Sequence, residues 1–190
     1  MISEYLNSRD LRKLGIKRVG ENVEVSKECV ITGIENISIG NNVRIDSFSI
    51  ILAKRGWLEI GSNVHIEPFN SIVAHFGISL GDFCTISHGV RLFTASADYN
   101  GEYFTNVFPN RKYQKPYSGE IRLESHVIVG ANSVVMPNLT IHEGAAVGAL
   151  SFVRRSLSSW TVYGGNPLKT IKPRSQKIKE IANSIHKKDV

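Results

Sequence analysis

The stretch Ile60-Gly-Ser-Asn-Val-His-Ile66-Glu-Pro-Phe-Asn-Ser-Ile72-Val-Ala-His-Phe-Gly-Ile78 decides the fold, because an aliphatic residue returns at every sixth position. A repeat of fixed period is the sequence signature of a repeat architecture. The same step of six continues on both sides, with short slips between runs. Its other members are Val19, Val25, Ile31 and Ile37, then Ile39, Ile45 and Ile51, then Leu80, Ile86 and Leu92, then Leu123, Val129, Val135, Ile141, Val147 and Val153.

The step of six indicates strands and excludes a helix through the middle of the chain. On a helix, at about 100° per residue, each step would rotate by about 240° and the aliphatic residues would share no face. Six is a multiple of the strand period of two, so all of them can point inward from short strands. Three steps plus a slip of two or three residues make one coil of a three-sided parallel solenoid.

Two further positions repeat with the same period as these aliphatic residues, which we call the ladder. The residue after an aliphatic member is often a glycine, which suits a corner of positive φ; examples are Gly20, Gly40, Gly61, Gly81, Gly130 and Gly148. Four residues after a member comes a small or apolar side chain that can fill a narrow interior, as at Val43, Ser49, Val64, Cys84, Val90, Val127, Ser133, Ala145 and Ser151.

The ladder also predicts the organisation of the chain. Residues 1–18 are expected to form a helical cap, and residues 19–158 the solenoid. The gap between Leu92 and Leu123 indicates a loop, residues 94–120, that is extruded from it. Residues 159–190 form a tail that includes an amphipathic helix over 175–188. Such terminal elements protect the ends of a solenoid.

Composition limits the partners and the compartment. The chain has 190 residues, 23 Lys+Arg against 17 Asp+Glu, and 42% hydrophobic residues, as in a folded domain. No apolar run approaches the ~18 residues that cross a bilayer, and the N-terminus lacks an export signal. The two cysteines form neither a disulfide framework nor a zinc site. We therefore expect a cytoplasmic protein that neither enters a membrane nor binds nucleic acid.

Several motifs resemble those of one family. They are Ile37-Ser-Ile-Gly-Asn-Asn-Val-Arg-Ile-Asp46, Gly61-Ser-Asn-Val-His-Ile66, Asp98-Tyr-Asn-Gly101 and Tyr163-Gly-Gly-Asn-Pro-Leu-Lys-Thr-Ile-Lys172. Together with the ladder they resemble the hexapeptide-repeat acyltransferases, and within these the bacterial nucleotide-sugar and surface-polysaccharide enzymes of the anthrose-type dTDP-amino-sugar N-acyltransferase group. The resemblance implies a left-handed parallel β-helix, a homotrimer, and transfer from acetyl-CoA or another acyl-CoA to an amino or hydroxyl group of a sugar or nucleotide-linked sugar in cell-surface glycan biosynthesis.

The resemblance also implies a coenzyme A site near the C-terminus. The residues that match it are Ala131, Ala149, Arg154, Arg155, Asn166, Lys169 and Lys172. Cationic side chains suit the phosphates of coenzyme A, and small residues leave room for its pantetheine arm. Taken alone, the same residues are also explained as a turn, solvated charges and tight corners, so both interpretations stay open.

For catalysis we expect direct transfer with a general base, because a thioester is already activated. Cys84 and Cys29 are at inward positions and are expected to be inert. His88 is the best candidate for the base and Asp98 the second, although a histidine on an outer face is often only a solvated polar residue. The resemblance places Ser87 near the thioester sulfur, although a small corner residue explains it as well.

Four other residues are candidates for binding the acceptor: His65, His75, Tyr99 and Glu102. The loop departs from the family pattern, which has a second acidic residue and a serine where this chain has Ala97 and Asn100. That departure leaves the identity of the base open.

Two other functions stay open. A metal-dependent hydratase like γ-class carbonic anhydrase would use histidines from adjacent subunits, but His65, His75 and His88 are 10 and 13 residues apart and lack the expected close pair. We therefore expect no metal. A non-catalytic solenoid that binds a partner through its loop is the second alternative.

Overall fold

The computed structural model describes residues 4–107 and 109–186, with the backbone alone for 183–186. Short strands stack into three parallel sheets, which form the faces of a left-handed β-helix of about seven coils. The fold class predicted from the ladder is therefore confirmed. Among the described residues, no helix has the length and apolar character needed to span a membrane.

The three faces have the following strands in stacking order. The first face comprises Tyr5–Asn7, Val23–Ser26, Val43–Ile45, His65–Ile66, Thr85–Ile86, Ile128–Val129, Ala146–Val147, Thr161–Gly164 and Lys169–Pro173, with its two outermost strands antiparallel. The second face comprises Val30–Thr32, Ile50–Leu52, Ser71–Val73, Arg91–Phe93, Val134–Val135 and Phe152–Val153. The third face comprises Arg18–Val19, Ile37–Ile39, Leu58–Ile60, Ile78–Leu80, Ile121–Leu123 and Leu139–Ile141.

The core is the ladder itself. Every aliphatic member is buried except Ile31, which is half-buried on the first strand of the second face. All nine small inward positions are buried as well, so they fill the space that the larger side chains leave. Asn70 also points inward: its side-chain oxygen accepts the backbone N–H of Val90 at 2.8 Å, which satisfies a buried amide.

Turns between the faces form three edges that run along the helix. The first edge, between the first and second faces, consists of residues 46–49, 67–70, 87–90, 130–133 and 148–151. The second edge lies between the second and third faces, and the extruded loop leaves from it. The third edge, between the third and first faces, consists of residues 20–22, 40–42, 61–64, 81–84, 124–127 and 142–145.

The glycines that follow the aliphatic members do not have positive φ, so that expectation is wrong. They are needed because adjacent coils approach closely: a Cβ on Gly40 would lie 2.6 Å from the backbone of Gly61, and one on Gly130 would lie 2.5 Å from the Ala149 nitrogen. Positive φ falls two residues later in the turn, for example on Asn42 at 54°. The glycine therefore reflects stacking rather than backbone conformation.

Helices lie at both ends of the solenoid. Helix α1 spans Ser8–Leu14. Asn7 is its N-cap, because the Asn7 side-chain oxygen accepts the N–H groups of Arg9 and Asp10. Its Leu11 is buried against the first coil. Helix α2 spans Lys177–His186, and the last two residues of the predicted helix lie outside the described residues.

The extruded loop is partly ordered by its own pairing. Its stem is a short antiparallel ladder between Ala95–Ser96 and Tyr117–Ser118. The buried Thr94 anchors the stem, because its hydroxyl donates to the Val73 carbonyl oxygen at 2.7 Å. The described residues also include two single-turn 3-10 helices, Ile34–Asn36 on the second edge and Arg111–Tyr113 in the loop.

Candidate active site

The first edge brings together residues that are far apart in sequence. The His88 carbonyl oxygen accepts the Asn132 N–H at 2.8 Å, and the Ala131 carbonyl oxygen accepts the Leu150 N–H at 2.8 Å. Ser87 and His88 therefore lie one coil before Ala131 and two coils before Ala149. The backbone ladder aligns one predicted catalytic pair with two predicted coenzyme-binding residues along a single line.

His88 is held by a carboxylate that the sequence analysis missed. Its Nδ1 lies 2.5 Å from Glu67 Oε2, and its backbone N–H donates to the same oxygen at 3.2 Å. An ionised carboxylate can only accept, so Nδ1 carries a proton, and in the neutral imidazole Nε2 is then the nitrogen with the lone pair. The imidazole is exposed, so Nε2 is available to a substrate. The signal was present in the sequence: Glu67 follows Ile66 in the place that Ser87 has after Ile86.

His65 belongs to a separate cluster on the first face. Its Nε2 lies 2.7 Å from Asp46 Oδ2, while the other Asp46 oxygen accepts hydrogen bonds from the Tyr5 hydroxyl and Arg44 Nε, each at 2.7 Å. Burial raises the pKa of Asp46, but the hydrogen bonds from Tyr5, Arg44 and His65 outweigh it, and the pKa lies below its ordinary value. The cluster ties the N-terminal strand to the solenoid.

A pocket of about 340 Å³ lies at the C-terminal end of the second face. It brings together three of the predicted coenzyme-binding residues, Arg154, Arg155 and Asn166. Phe152, Pro167 and Leu168 form the rest of its wall. The pocket adjoins the first edge, because the Gly165 N–H donates to the Ser151 hydroxyl at 3.0 Å.

The last two predicted coenzyme-binding residues lie beyond this pocket. Lys169 and Lys172 are exposed on the final strand, Lys169–Pro173, which pairs with the strand Thr161–Gly164. Their side chains are not part of the pocket wall. They add positive charge to the C-terminal end of the solenoid, where Arg154 and Arg155 line the pocket.

The predicted loop residues lie on a different edge from His88. Asp98 accepts backbone N–H groups from Asn100, Glu102 and Tyr103 at 2.7–2.8 Å, and these bonds hold the pKa of its carboxyl below the ordinary value. Its geometry is that of a carboxylate that orders a turn. Tyr99, in the same turn, is 89% exposed.

His75 lies on the second edge, beside the base of the loop. The neighbouring Phe76 N–H donates to the Thr94 hydroxyl at 3.1 Å. Burial lowers the pKa of His75, and the charge of Arg55 lowers it further. The four predicted acceptor-binding residues are therefore not brought together: His65 is on the first face, and His75, Tyr99 and Glu102 belong to the second edge and its loop.

Neither cysteine has the character of a nucleophile. Burial raises the pKa of the Cys84 thiol to about 12, and the thiol donates to the Glu124 carbonyl oxygen. Burial also raises the pKa of Cys29. Among residues 4–107 and 109–186, no group of three or more His, Cys, Asp or Glu side chains is placed to hold a metal ion.

The chain is similar in sequence to known acyltransferases. No family model matches the chain. The dTDP-4-amino-4,6-dideoxy-D-glucose acyltransferase of Escherichia coli is 39% identical over 177 residues, which is 93% of this chain and 92% of that protein. A macrolide acetyltransferase of Lysinibacillus sphaericus, assigned as probable, is 32% identical over half of this chain and 59% of its own length.

Solved structures give the same result. AntD, an N-acyltransferase from Bacillus cereus whose crystal structure contains dTDP and 3-hydroxybutyryl-CoA, is 38% identical, with a TM-score of 0.93 over 98% of each chain. A hexapeptide-repeat acetyltransferase from Vibrio cholerae, 20% identical with a TM-score of 0.58 over 88% of this chain and 79% of its own, shares the fold. The resemblance stated from sequence is confirmed: this chain belongs to the hexapeptide-repeat acyltransferases, in the family of the dTDP-4-amino-4,6-dideoxy-D-glucose acyltransferase.

Proposed function

We propose that this acyltransferase transfers an acyl group from acyl-CoA to the amino group of a dTDP-linked amino sugar. The observation that carries the proposal is the pairing of His88 with Glu67 on the edge that leads to the C-terminal pocket. The named substrates and bound ligands of the two similar acyltransferases support the acceptor and the donor. Neither the hydratase nor the non-catalytic solenoid has a counterpart among the relatives described.

The donor fits the C-terminal end of the first edge. Arg154 and Arg155 would meet coenzyme A phosphates, with Lys169 and Lys172 adding to the positive charge. Asn166 would supply an amide to the same ligand. From there the pantetheine arm would follow the edge past Ala149 and Ala131, whose methyl side chains leave the backbone accessible. The thioester would then arrive beside Ser87 and His88. Acyl-CoA is made in the cytoplasm, so we infer that compartment for the enzyme.

His88 is the base in this proposal. The sugar amine attacks the thioester carbonyl carbon and forms the C–N bond, while His88 Nε2 accepts a proton from the amine. The tetrahedral intermediate collapses, the C–S bond breaks, and the proton passes to the departing thiolate to give the amide and free coenzyme A. Glu67 holds the imidazole tautomer that this step needs and stabilises the imidazolium. In this proposal the Ser87 hydroxyl would donate a hydrogen bond to the thioester.

A homotrimer would complete this site. The loop that carries Asp98, Tyr99 and Glu102 leaves from the second edge, whereas His88 lies on the first edge. Its tip exposes apolar surface, with Phe104 54% and Val107 fully exposed. Packed against a neighbouring copy, the loop would cover that surface and bring its polar residues to the neighbour's first edge. In this arrangement Asp98 orders the loop and His88 removes the proton.

The first experiment measures free thiol released from acetyl-CoA and 3-hydroxybutyryl-CoA with dTDP-4-amino-4,6-dideoxyglucose as acceptor. We expect acceptor-dependent release that His88→Asn reduces at least 100-fold. No release with any amino- or hydroxy-sugar nucleotide, together with no coenzyme A binding, would end the proposal.

The shared site is tested by mixing two inactive variants. After co-refolding, His88→Asn and a variant lacking loop residues 97–116 should regain activity together, because a mixed trimer contains interfaces with one intact edge and one intact loop. If mixing restores nothing while both variants still form trimers, each site belongs to a single chain.

A further inference from the structure

Two phenylalanines are stacked on the first edge, on the N-terminal side of His88. The rings of Phe48 and Phe69 have centroids 5.1 Å apart and planes inclined by 21°. Phe48 is 51% exposed and Phe69 is 60% exposed, although both are large and apolar. The centroid distance is close to the spacing of adjacent coils, about 5 Å, so the stack runs along the helix axis.

These rings continue the line of the active site. The Phe69 N–H donates to the Ser47 carbonyl oxygen, and the Gly89 N–H donates to the Pro68 carbonyl oxygen, so Phe69 lies one coil below His88 and Phe48 two coils below. Two coils amount to about 10 Å. The donor pocket lies in the opposite direction. The rings are therefore where the part of the acceptor that does not react would lie.

The turn position that holds these rings does not require aromatic residues. Its other occupants along the same edge are Gly89, Asn132 and Leu150, and all five residues have φ between 58° and 66°. A left-handed backbone is unfavourable for a bulky side chain, so phenylalanine has no local advantage there. Exposed, stacked rings next to a reactive group are suited to binding a flat ligand.

A cation lies beside the same coils. Arg91 begins the second-face strand directly after the His88 turn and pairs in register with Ser71, two residues after Phe69. Its Nη1 donates to the Gly89 carbonyl oxygen at 2.8 Å. No ion pair with a carboxylate is found for Arg91 in the described part of the chain, so its charge is available to an anion. Arg44, by contrast, is neutralised by Asp46 at 2.7 Å.

From this arrangement we propose that Phe48 and Phe69 bind the nucleobase of the acceptor and that Arg91 binds its diphosphate. The hexose then reaches His88 across a distance that the diphosphate bridges. The inference rests on the proposed function for the identity of the acceptor as a nucleoside diphosphate sugar. It adds the residues that recognise the nucleotide, and it divides the first edge into a donor half above His88 and an acceptor half below it.

The test measures binding of dTDP and of thymidine by calorimetry and ligand-observed NMR, with no chemistry involved. Leucine is the replacement, because Leu150 already occupies this turn position with φ of 58°. We expect Phe48→Leu with Phe69→Leu to weaken both ligands about 10- to 100-fold, since the flat stacking surface is lost. Arg91→Gln should weaken dTDP about tenfold and leave thymidine unchanged.

Phe83→Leu is the matched control. Phe83 has φ of 60° and stacks on His126, but it lies on the third edge, so its loss should leave both affinities unchanged. The inference is overturned if the double leucine variant binds dTDP like the parent protein. It is also overturned if that variant loses its oligomeric state at unchanged dTDP affinity, which would assign the rings to a contact between copies.

The outcomes also separate this inference from the proposed function. A parent protein that binds dTDP through these rings, yet releases no thiol with any acceptor, contradicts the proposed activity and supports the subsite. If the parent protein acylates the sugar nucleotide and the double leucine variant still binds dTDP as tightly as the parent, the proposed activity is supported and the subsite is contradicted.

Discussion

Two histidine–glutamate pairs of the same composition lie on two different edges of the prism. On the first edge His88 Nδ1 is 2.5 Å from Glu67 Oε2, and on the third edge His142 Nδ1 is 3.1 Å from Glu124 Oε1. Each pair joins adjacent coils. The chemistry of the pair alone therefore does not distinguish an active site from a structural contact.

The surroundings of the two pairs differ. On the third edge the second Glu124 oxygen accepts the Glu143 N–H at 2.9 Å, and the C-terminal segment covers the edge: Arg174 Nη1 donates to the His126 and Gly144 carbonyl oxygens. At His88, no described segment of the chain covers the first edge in this way, and the side chain is exposed. The His142 side chain is still 44% exposed, so exposure alone does not separate the two pairs; what differs is that the edge of His88 leads to the C-terminal pocket.

The largest expected effect is on turnover. His88→Asn should lower kcat by about 10²- to 10⁴-fold, because asparagine keeps a polar side chain but cannot take up a proton. His142→Asn, which breaks the matching pair on the third edge, should leave kcat within about twofold. Thiol release at saturating donor and acceptor measures both. Equal losses in the two variants would mean that the pairs differ only in position, not in role.

Substitution of the carboxylate that pairs with His88 should have a smaller effect on kcat. Glu67→Gln should lower kcat about tenfold, because the amide still accepts a hydrogen bond but no longer stabilises the imidazolium. The KM for acyl-CoA should not change, since Glu67 lies on the acceptor side of His88. Glu124→Gln is the control and should leave kcat unaltered. A rise in KM at constant kcat for Glu67→Gln would contradict the positioning role.

The loop carboxylate tests the other candidate base. Asp98→Ala removes the acceptor of three backbone N–H groups and should lower kcat/KM about tenfold by disordering the turn, without changing the shape of the pH–rate profile. If an ionisation disappears from the profile, Asp98 and not His88 removes the proton. Ser96→Ala, in the stem of the same loop, is the control.

The sequence predicted the fold well because one physical requirement repeats in every coil. The inward positions must be apolar, so Ile66 and Ile86 mark the core without any knowledge of partners. Glu67 was missed, because its partner His88 is 21 residues away and meets it only when the coils are aligned in register. The corner glycines were found but explained wrongly, since the close approach of Gly40 to Gly61 depends on the next coil. The three backbone N–H groups that Asp98 accepts were not predicted either, because they depend on the conformation of the loop and not on residue type.

The close approach of the coils predicts a loss of stability on both edges. Gly40→Ala on the third edge and Gly130→Ala on the first should each lower the free energy of unfolding by about 2–3 kcal/mol, because backbone atoms of the next coil cannot move aside for a Cβ. Denaturant unfolding measures the change. Gly101→Ala is the control, because its Cβ would meet no atom within 4 Å, although its φ of 82° adds some strain. Equal losses in all three variants would mean that contact with the next coil is not what makes Gly40 and Gly130 necessary.

The smallest expected effect is on how the free energy of unfolding depends on pH, through Asp46 near the N-terminal end of the first edge. The pKa of Asp46 is lower in the folded protein than in the unfolded chain, so the folded state binds fewer protons, and its contribution is full above about pH 4. That contribution is lost as the pH falls through the folded pKa. Asp46→Asn should therefore cost about 1–2 kcal/mol at pH 7 and flatten the fall in unfolding free energy below pH 4. Tyr5→Phe removes one of the hydrogen bonds to this carboxylate and should reduce part of the fall in unfolding free energy below pH 4. An acid slope that is the same in all three proteins would place the acid sensitivity outside this cluster.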